Sequence, residues 1–135
     1  MKYLLDTNIC IRYLNGRSPA VFARLNALSP AEVCVCSIVK FELRYGALRS
    51  DYKDKTLAEQ EKFLSRFVSL PFDDKAQEYA AQIRADLAHT GTPIGPYDLL
   101  IAAIALANDV ILVTHNVREF NRVPNLIIDD WEDKQ

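Results

Sequence analysis

Four carboxylates stand where a carboxylate needs a reason: Asp6, Glu42, Asp98 and Glu119. Asp6 abruptly ends the short apolar run Tyr3-Leu4-Leu5. Glu42 is flanked by apolar residues at helical spacing, so it lies on or beside a face that should be buried, where an unpaired charge is expensive. Asp98 is the only charge between Gly95 and Ala107. Glu119 follows Asn116 in the loop after the apolar run Val110–Thr114. Each has a plain structural reading. Asp6 can cap a helix starting at Thr7. Glu42 can pair with Lys40 or Arg44. Asp98, two residues after Pro96, gains ~0.3–1 kcal/mol from the helix dipole. Asn116-x-x-Glu119 has the form of a capping box. Their conjunction points further. Two unit charges ~4 Å apart repel by ~4 kcal/mol at an effective dielectric of ~20. Converging carboxylates must therefore take up protons, splay apart or hold a cation. Oxygen-only ligands suit Mg²⁺ or Mn²⁺. Such an ion can polarise a phosphodiester oxygen, activate a water and steady the leaving oxygen.

The surrounding elements must bring these residues together. Tyr3–Leu5 reads as a buried central strand, which places Asp6 at the edge of an open α/β sheet where ligands bind. Helices are expected over Thr7–Leu14 and from Pro19 to about Leu28. A strand is expected over Glu32–Ser37. A helix over Ile38 to about Ser50 turns Ile38, Phe41, Tyr45 and Leu48 inward, and Asp51–Lys55 forms a charged turn. A second helix over Leu57–Phe67 completes a helical hairpin. Val68–Phe72 reads as a strand, and Asp73 caps a long helix to about His89 with Ala76, Tyr79, Ala80, Ile83 and Leu87 buried. After a loop rich in Gly and Pro, Tyr97–Ala107 is a helix apolar nearly all round. Val110–Thr114 and Leu126–Asp129 close the strand set, with a loop or single helical turn over His115–Phe120 and Trp131 against an edge. Strands alternating with helices imply a mostly parallel sheet between helical layers.

At 135 residues the chain is long enough for one core, and residues 1–135 are expected to form a single domain. No apolar run approaches the ~20 residues of a membrane span. Asp6 and Arg12 interrupt the N-terminal run and no small-residue cleavage site follows, so no signal peptide is expected and a cytoplasmic location is. Cys10, Cys34 and Cys36 read as small buried apolar residues. A net charge of −2 excludes a general nucleic-acid-coating protein, though not an enzyme that meets nucleic acid locally.

Leu4-Leu5-Asp6-Thr7-Asn8, Glu42-Leu43-x-Tyr45-Gly46, Thr92 through Ala102 and Val113 through Phe120 together resemble the PIN-domain ribonucleases, and more narrowly the VapC toxins of bacterial toxin–antitoxin pairs. The likeness runs from Lys2 to Trp131 with the motifs in family order. It implies a three-layer α/β/α fold on a five-stranded, mostly parallel sheet. It also implies Mg²⁺- or Mn²⁺-dependent endonuclease action on RNA, most often tRNA, that arrests growth. Asp6, Glu42 and Asp98 match the family's acidic metal-binding positions. The fourth such position falls on Asn116, an amide, so that either Glu119 serves in its place or the site has three carboxylates. Thr7, Asn116, His115 and Arg118 are candidates for substrate contact or for tuning the site. The resemblance further implies a homodimer neutralised by a cognate VapB-like antitoxin, whose tail would enter a groove formed by Tyr45, Leu48, Phe63 and Phe67. Lys40, Arg44, Arg84 and Arg118 could meet phosphates. Two rivals compete. A haloacid-dehalogenase-like phosphatase would use Asp6 as nucleophile but wants Asp where Asn8 stands. A catalytically inert PIN-like binding module would not need three intact carboxylates.

Overall fold

The computed structural model describes residues 1–132. In chain order the elements are β1 (Tyr3–Leu5), α1 (Thr7–Leu14), α2 (Pro19–Ala27), a 3-10 turn (Pro30–Glu32), β2 (Val33–Cys36), α3 (Ser37–Leu48), α4 (Lys53–Leu64), β3 (Val68–Leu70), α5 (Asp74–Thr90), α6 (Pro96–Ala107), β4 (Ile111–Val113), the single-turn helix α7 (Val117–Phe120) and β5 (Ile128–Asp129). The five strands form one parallel sheet in the order β3-β2-β1-β4-β5. Helices cover it as the outer layers of an α/β/α fold.

This order creates the site. The chain builds outward from β1 to β2 and β3, then crosses back to start again on β1's other side with β4. Between β1 and β4 the connections diverge and leave a crevice at the carboxyl ends of the strands. The register pairs Leu5 with Val113, so Asp6 and Thr114 emerge side by side into that crevice. All of β1 and β2 is buried, as expected of strands covered on both faces. The three cysteines are free and buried among them. Helix α6 supplies the apolar floor: Ile101 to Ala105 are fully buried. Trp131 is buried edge-on against Tyr3.

Two apolar faces differ from the sequence expectation. On α3 the buried residues are Val39, Leu43 and Ala47, whereas Phe41, Tyr45 and Leu48 are each about half exposed (50%, 56% and 53%). The helix carries two apolar arcs. It leaves β2 with no intervening residue, so the strand sets its rotation and the arc of smaller side chains faces inward. Phe63 and Phe67, expected to line a groove, are core residues instead: Phe63 stacks between Tyr13 and Phe67. Helix α4 begins at Lys53, inside the expected charged turn, and Tyr79 is largely exposed on α5.

Candidate active site

Asp6 is both a cap and a candidate ligand. Its Oδ1 accepts the Ile9 N–H at 2.8 Å, satisfying one orphan donor at the start of α1. It is 4% exposed. Burial pushes its pKa from 3.8 up to about 6, the charges of Glu42 and Glu132 push the same way, and the Thr114 hydroxyl and the Ile9 N–H hold it back. A hydrogen bond to a backbone amide needs no charge.

Glu42 reaches the crevice from α3. The Thr7 hydroxyl, at the first position of α1, donates to its Oε1 at 2.7 Å, across 35 residues of sequence. Neither Lys40 nor Arg44 pairs with it among the described residues. Asp98 lies in the first turn of α6. Burial raises its pKa to about 7, and the charges of Glu119, Glu42 and Asp6 raise it too. Glu119 shifts the other way. Burial would raise it, but the Gly95 N–H (2.6 Å to Oε1), the Asn116 side-chain amide (2.6 Å to Oε2), a hydrogen bond from Asp98 and the nearby Arg122 charge outweigh that and lower it. The pair is therefore driven apart, Asp98 towards its protonated form and Glu119 towards its ionised one. Asn116 caps no backbone through its side chain, so the expected capping box is replaced by this amide–carboxylate pair.

All four carboxylates thus face one crevice, and the charges of the other three act on Asp98. No Lys or Arg forms an ion pair with any of them among the described residues. Nor do any three His, Cys, Asp or Glu close into a complete ligand group there. The donor set suits Mg²⁺, which keeps several waters and is held by one or two carboxylates together with substrate phosphate oxygens.

The remaining candidates sort by position. Thr7 and Asn116 orient carboxylates. His115 turns away from the four, its Nδ1 3.0 Å from Asp130 Oδ2; that hydrogen bond and the Asp130 charge raise its pKa. Arg118 is exposed on α7. Three contributors escaped the sequence reading. Thr114 is visible only once β1 and β4 are known to be neighbours. Gly95 comes so close that a Cβ there would lie 3.3 Å from Asp98 Oδ2 and 3.4 Å from Glu119 Oε1. Arg122 anchors the loop through the Pro93 carbonyl at 2.9 Å. The Gly95-Pro96 pair was a visible signal, but it reads as a turn.

Residues 3–126 match the family model described as PIN domain. The chain is 42% identical over 131 residues to the tRNA(fMet)-specific endonuclease VapC of Salmonella typhimurium (strain LT2), covering 97% of this chain and 98% of that protein. It is 38% identical over 133 residues to Ribonuclease VapC2 of Rickettsia felis, covering 98% and 99%. Among solved structures it is similar to DNA-bound VapBC from Salmonella typhimurium (TM-score 0.92, 41% identity, 97% and 98% covered). It is also similar to VapBC2 from Rickettsia felis bound to a DNA fragment from their promoter (TM-score 0.90, 38% identity, 97% and 99% covered). The chain belongs to the PIN-domain family, among the VapC ribonucleases. That membership removes the phosphatase rival.

Proposed function

We propose that this chain is a divalent-metal-dependent endoribonuclease that cuts tRNA, with Asp6, Asp98 and Glu42 as metal ligands and Glu119 completing the acidic site. The observation that carries this reading is the convergence of four carboxylates with no cationic side chain paired to them. A Mg²⁺ or Mn²⁺ ion bound there would polarise a phosphodiester oxygen and ease ionisation of a water. The chain's own residues do the rest. Thr7 fixes the Glu42 rotamer through a charge-assisted hydrogen bond. Gly95 and Asn116 grip both oxygens of Glu119, which keeps it ionised. The raised pKa of Asp98 falls as positive charge enters the crevice, which favours its ionised, ligating form. Burial of Asp6 strengthens every interaction its charge makes.

A fold-level partner follows from the same family. We infer a cognate antitoxin and a homodimer, and the exposed apolar arc of Phe41, Tyr45 and Leu48, with Tyr97 packed edge-on against Phe41, supports such an interface. Of the four expected groove residues, only Tyr45 and Leu48 are on offer. The relatives' names make initiator tRNA the first substrate to try. Purified protein freed of partner should cut an initiator tRNA transcript in Mg²⁺ or Mn²⁺, with one dominant new end. Cleavage should stop in EDTA and in Asp98→Asn. Cleavage that persists in EDTA, or no cleavage of any tRNA in either metal, would overturn the proposal.

A further inference from the structure

Beside the acidic crevice lies a polar cleft that carries two arginines. Its volume is about 480 Å³, within the ~300–1,000 Å³ range of small-molecule sites. Asn8, Arg12, Asn15, Arg17, His115 and Asn116 line it, together with Ile11. Asn8, Arg12 and Asn15 recur at spacings of four and three, so they form one polar face of α1. The way α1 stops fixes the backbone between the two arginines. Gly16 takes φ +65°, its N–H bonds to the Tyr13 carbonyl at 3.2 Å, and the Arg17 N–H bonds to the Arg12 carbonyl at 3.1 Å. This is the double hydrogen bond of a Schellman motif. It fixes the backbone of Arg17 one turn from Arg12, and both side chains line the cleft.

The two arginines differ in what they already hold. Arg12 Nε lies 3.0 Å from Glu132 Oε1, and its guanidinium makes no other ion pair among the described residues. Arg17 is exposed and makes no ion pair among the described residues. The cleft also adjoins the acidic site through two of its walls. Asn8 is two residues beyond Asp6, and Asn116 donates to Glu119. An acidic crevice repels a polyanion, so an RNA strand crossing it needs an attractive surface alongside.

We propose that this cleft is a subsite for single-stranded RNA, seating the phosphate next to the scissile one on Arg17 and Arg12. Arginine suits phosphate by its forked donors, and the asparagine amides suit the hydrogen-bonding edge of an unstacked base. This assignment rests on the ribonuclease reading, but its test does not require cleavage.

The test is fluorescence anisotropy with a labelled initiator tRNA transcript, in Ca²⁺ to hold the acidic site charge-neutral, across a range of salt. Arg17→Ala should raise Kd about tenfold, the effect of losing one charged hydrogen-bonding contact. It should also flatten the dependence of log K on log salt by about 0.7, the value for one phosphate on a single strand. Arg17→Lys should recover the salt slope and part of the affinity. Lys55→Ala, an exposed cation on α4 already facing Glu59, should change neither. If Arg17→Ala binds as wild type does, or if Lys55→Ala weakens binding equally, the subsite is wrong while tRNA cleavage can still stand. If the wild type binds no tRNA in Ca²⁺, the subsite is overturned. Failure of the ribonuclease reading would show instead as Arg17-dependent binding without cleavage in Mg²⁺ or Mn²⁺.

Discussion

Replacing Asp6 by Asn should make the metal-free protein more stable while destroying its activity. Asn matches Asp in shape and is an equally good N-cap, so the hydrogen bond from Ile9 survives. What disappears is a buried charge. The Asp6 pKa rises from 3.8 to about 6, which at about 1.4 kcal/mol per pH unit makes the ionised form about 3 kcal/mol unfavourable in the folded state. Because the folded pKa lies above the unfolded one, the folded chain binds the extra proton between them. Stability from this group is therefore highest below about pH 4, falls as pH rises towards 6 and stays low above it. Asp6→Asn lacks that decline. In EDTA the two proteins should melt together near pH 4, and at pH 8 the variant should melt about 10 °C higher, given the unfolding entropy of a chain this size. Differential scanning calorimetry across that range reads it directly. A variant equally stable or less stable at pH 8, or a difference independent of pH, would refute the buried-charge argument. Mn²⁺ should reverse the order, stabilising wild type by linkage and leaving the variant nearly unmoved.

Other substitutions probe the neighbours. Gly95→Ala keeps the N–H to Glu119 but crowds Asp98 and Glu119, so tRNA cleavage should fall while the melting temperature stays near wild type. Thr7→Val removes the donor that orients Glu42, and single-turnover cleavage should slow about tenfold, the equivalent of ~1.4 kcal/mol. Phe63→Ala should cost about 3–5 kcal/mol in urea unfolding because it empties a core position, whereas Tyr45→Ala on the exposed arc should stay within about 0.5 kcal/mol.

The chain's rhythm disclosed the sheet because β1 and β2 are fully apolar and each is followed at once by a helix. It also disclosed three carboxylates, because Asp6 ends a strand, Asp98 opens an apolar helix and Glu42 interrupts apolar spacing. What it did not disclose depends on rotation and adjacency. The Phe41-Tyr45-Leu48 arc has the same period as Val39-Leu43-Ala47, and periodicity alone cannot say which arc turns inward. The larger side chains suggested a core, but the helix's junction with β2 decided otherwise. Phe63 and Phe67 gave the converse error: aromatic residues on a hairpin resembled a groove, yet Phe63 stacks on Tyr13 with Phe67 edge-on to it, which needs α1 and α4 side by side. Thr114 and Gly95 join the site through strand register and a backbone N–H, neither of which leaves a mark on local sequence.

The claim on which the rest depends is that a divalent ion belongs among Asp6, Glu42 and Asp98. Crystals grown with Mn²⁺, measured at the manganese edge, test it most directly. An anomalous peak is expected within coordination distance of Asp6 and Asp98 oxygens, with Glu42 bound directly or through water. A peak elsewhere, or none at saturating Mn²⁺ above pH 7, would contradict it.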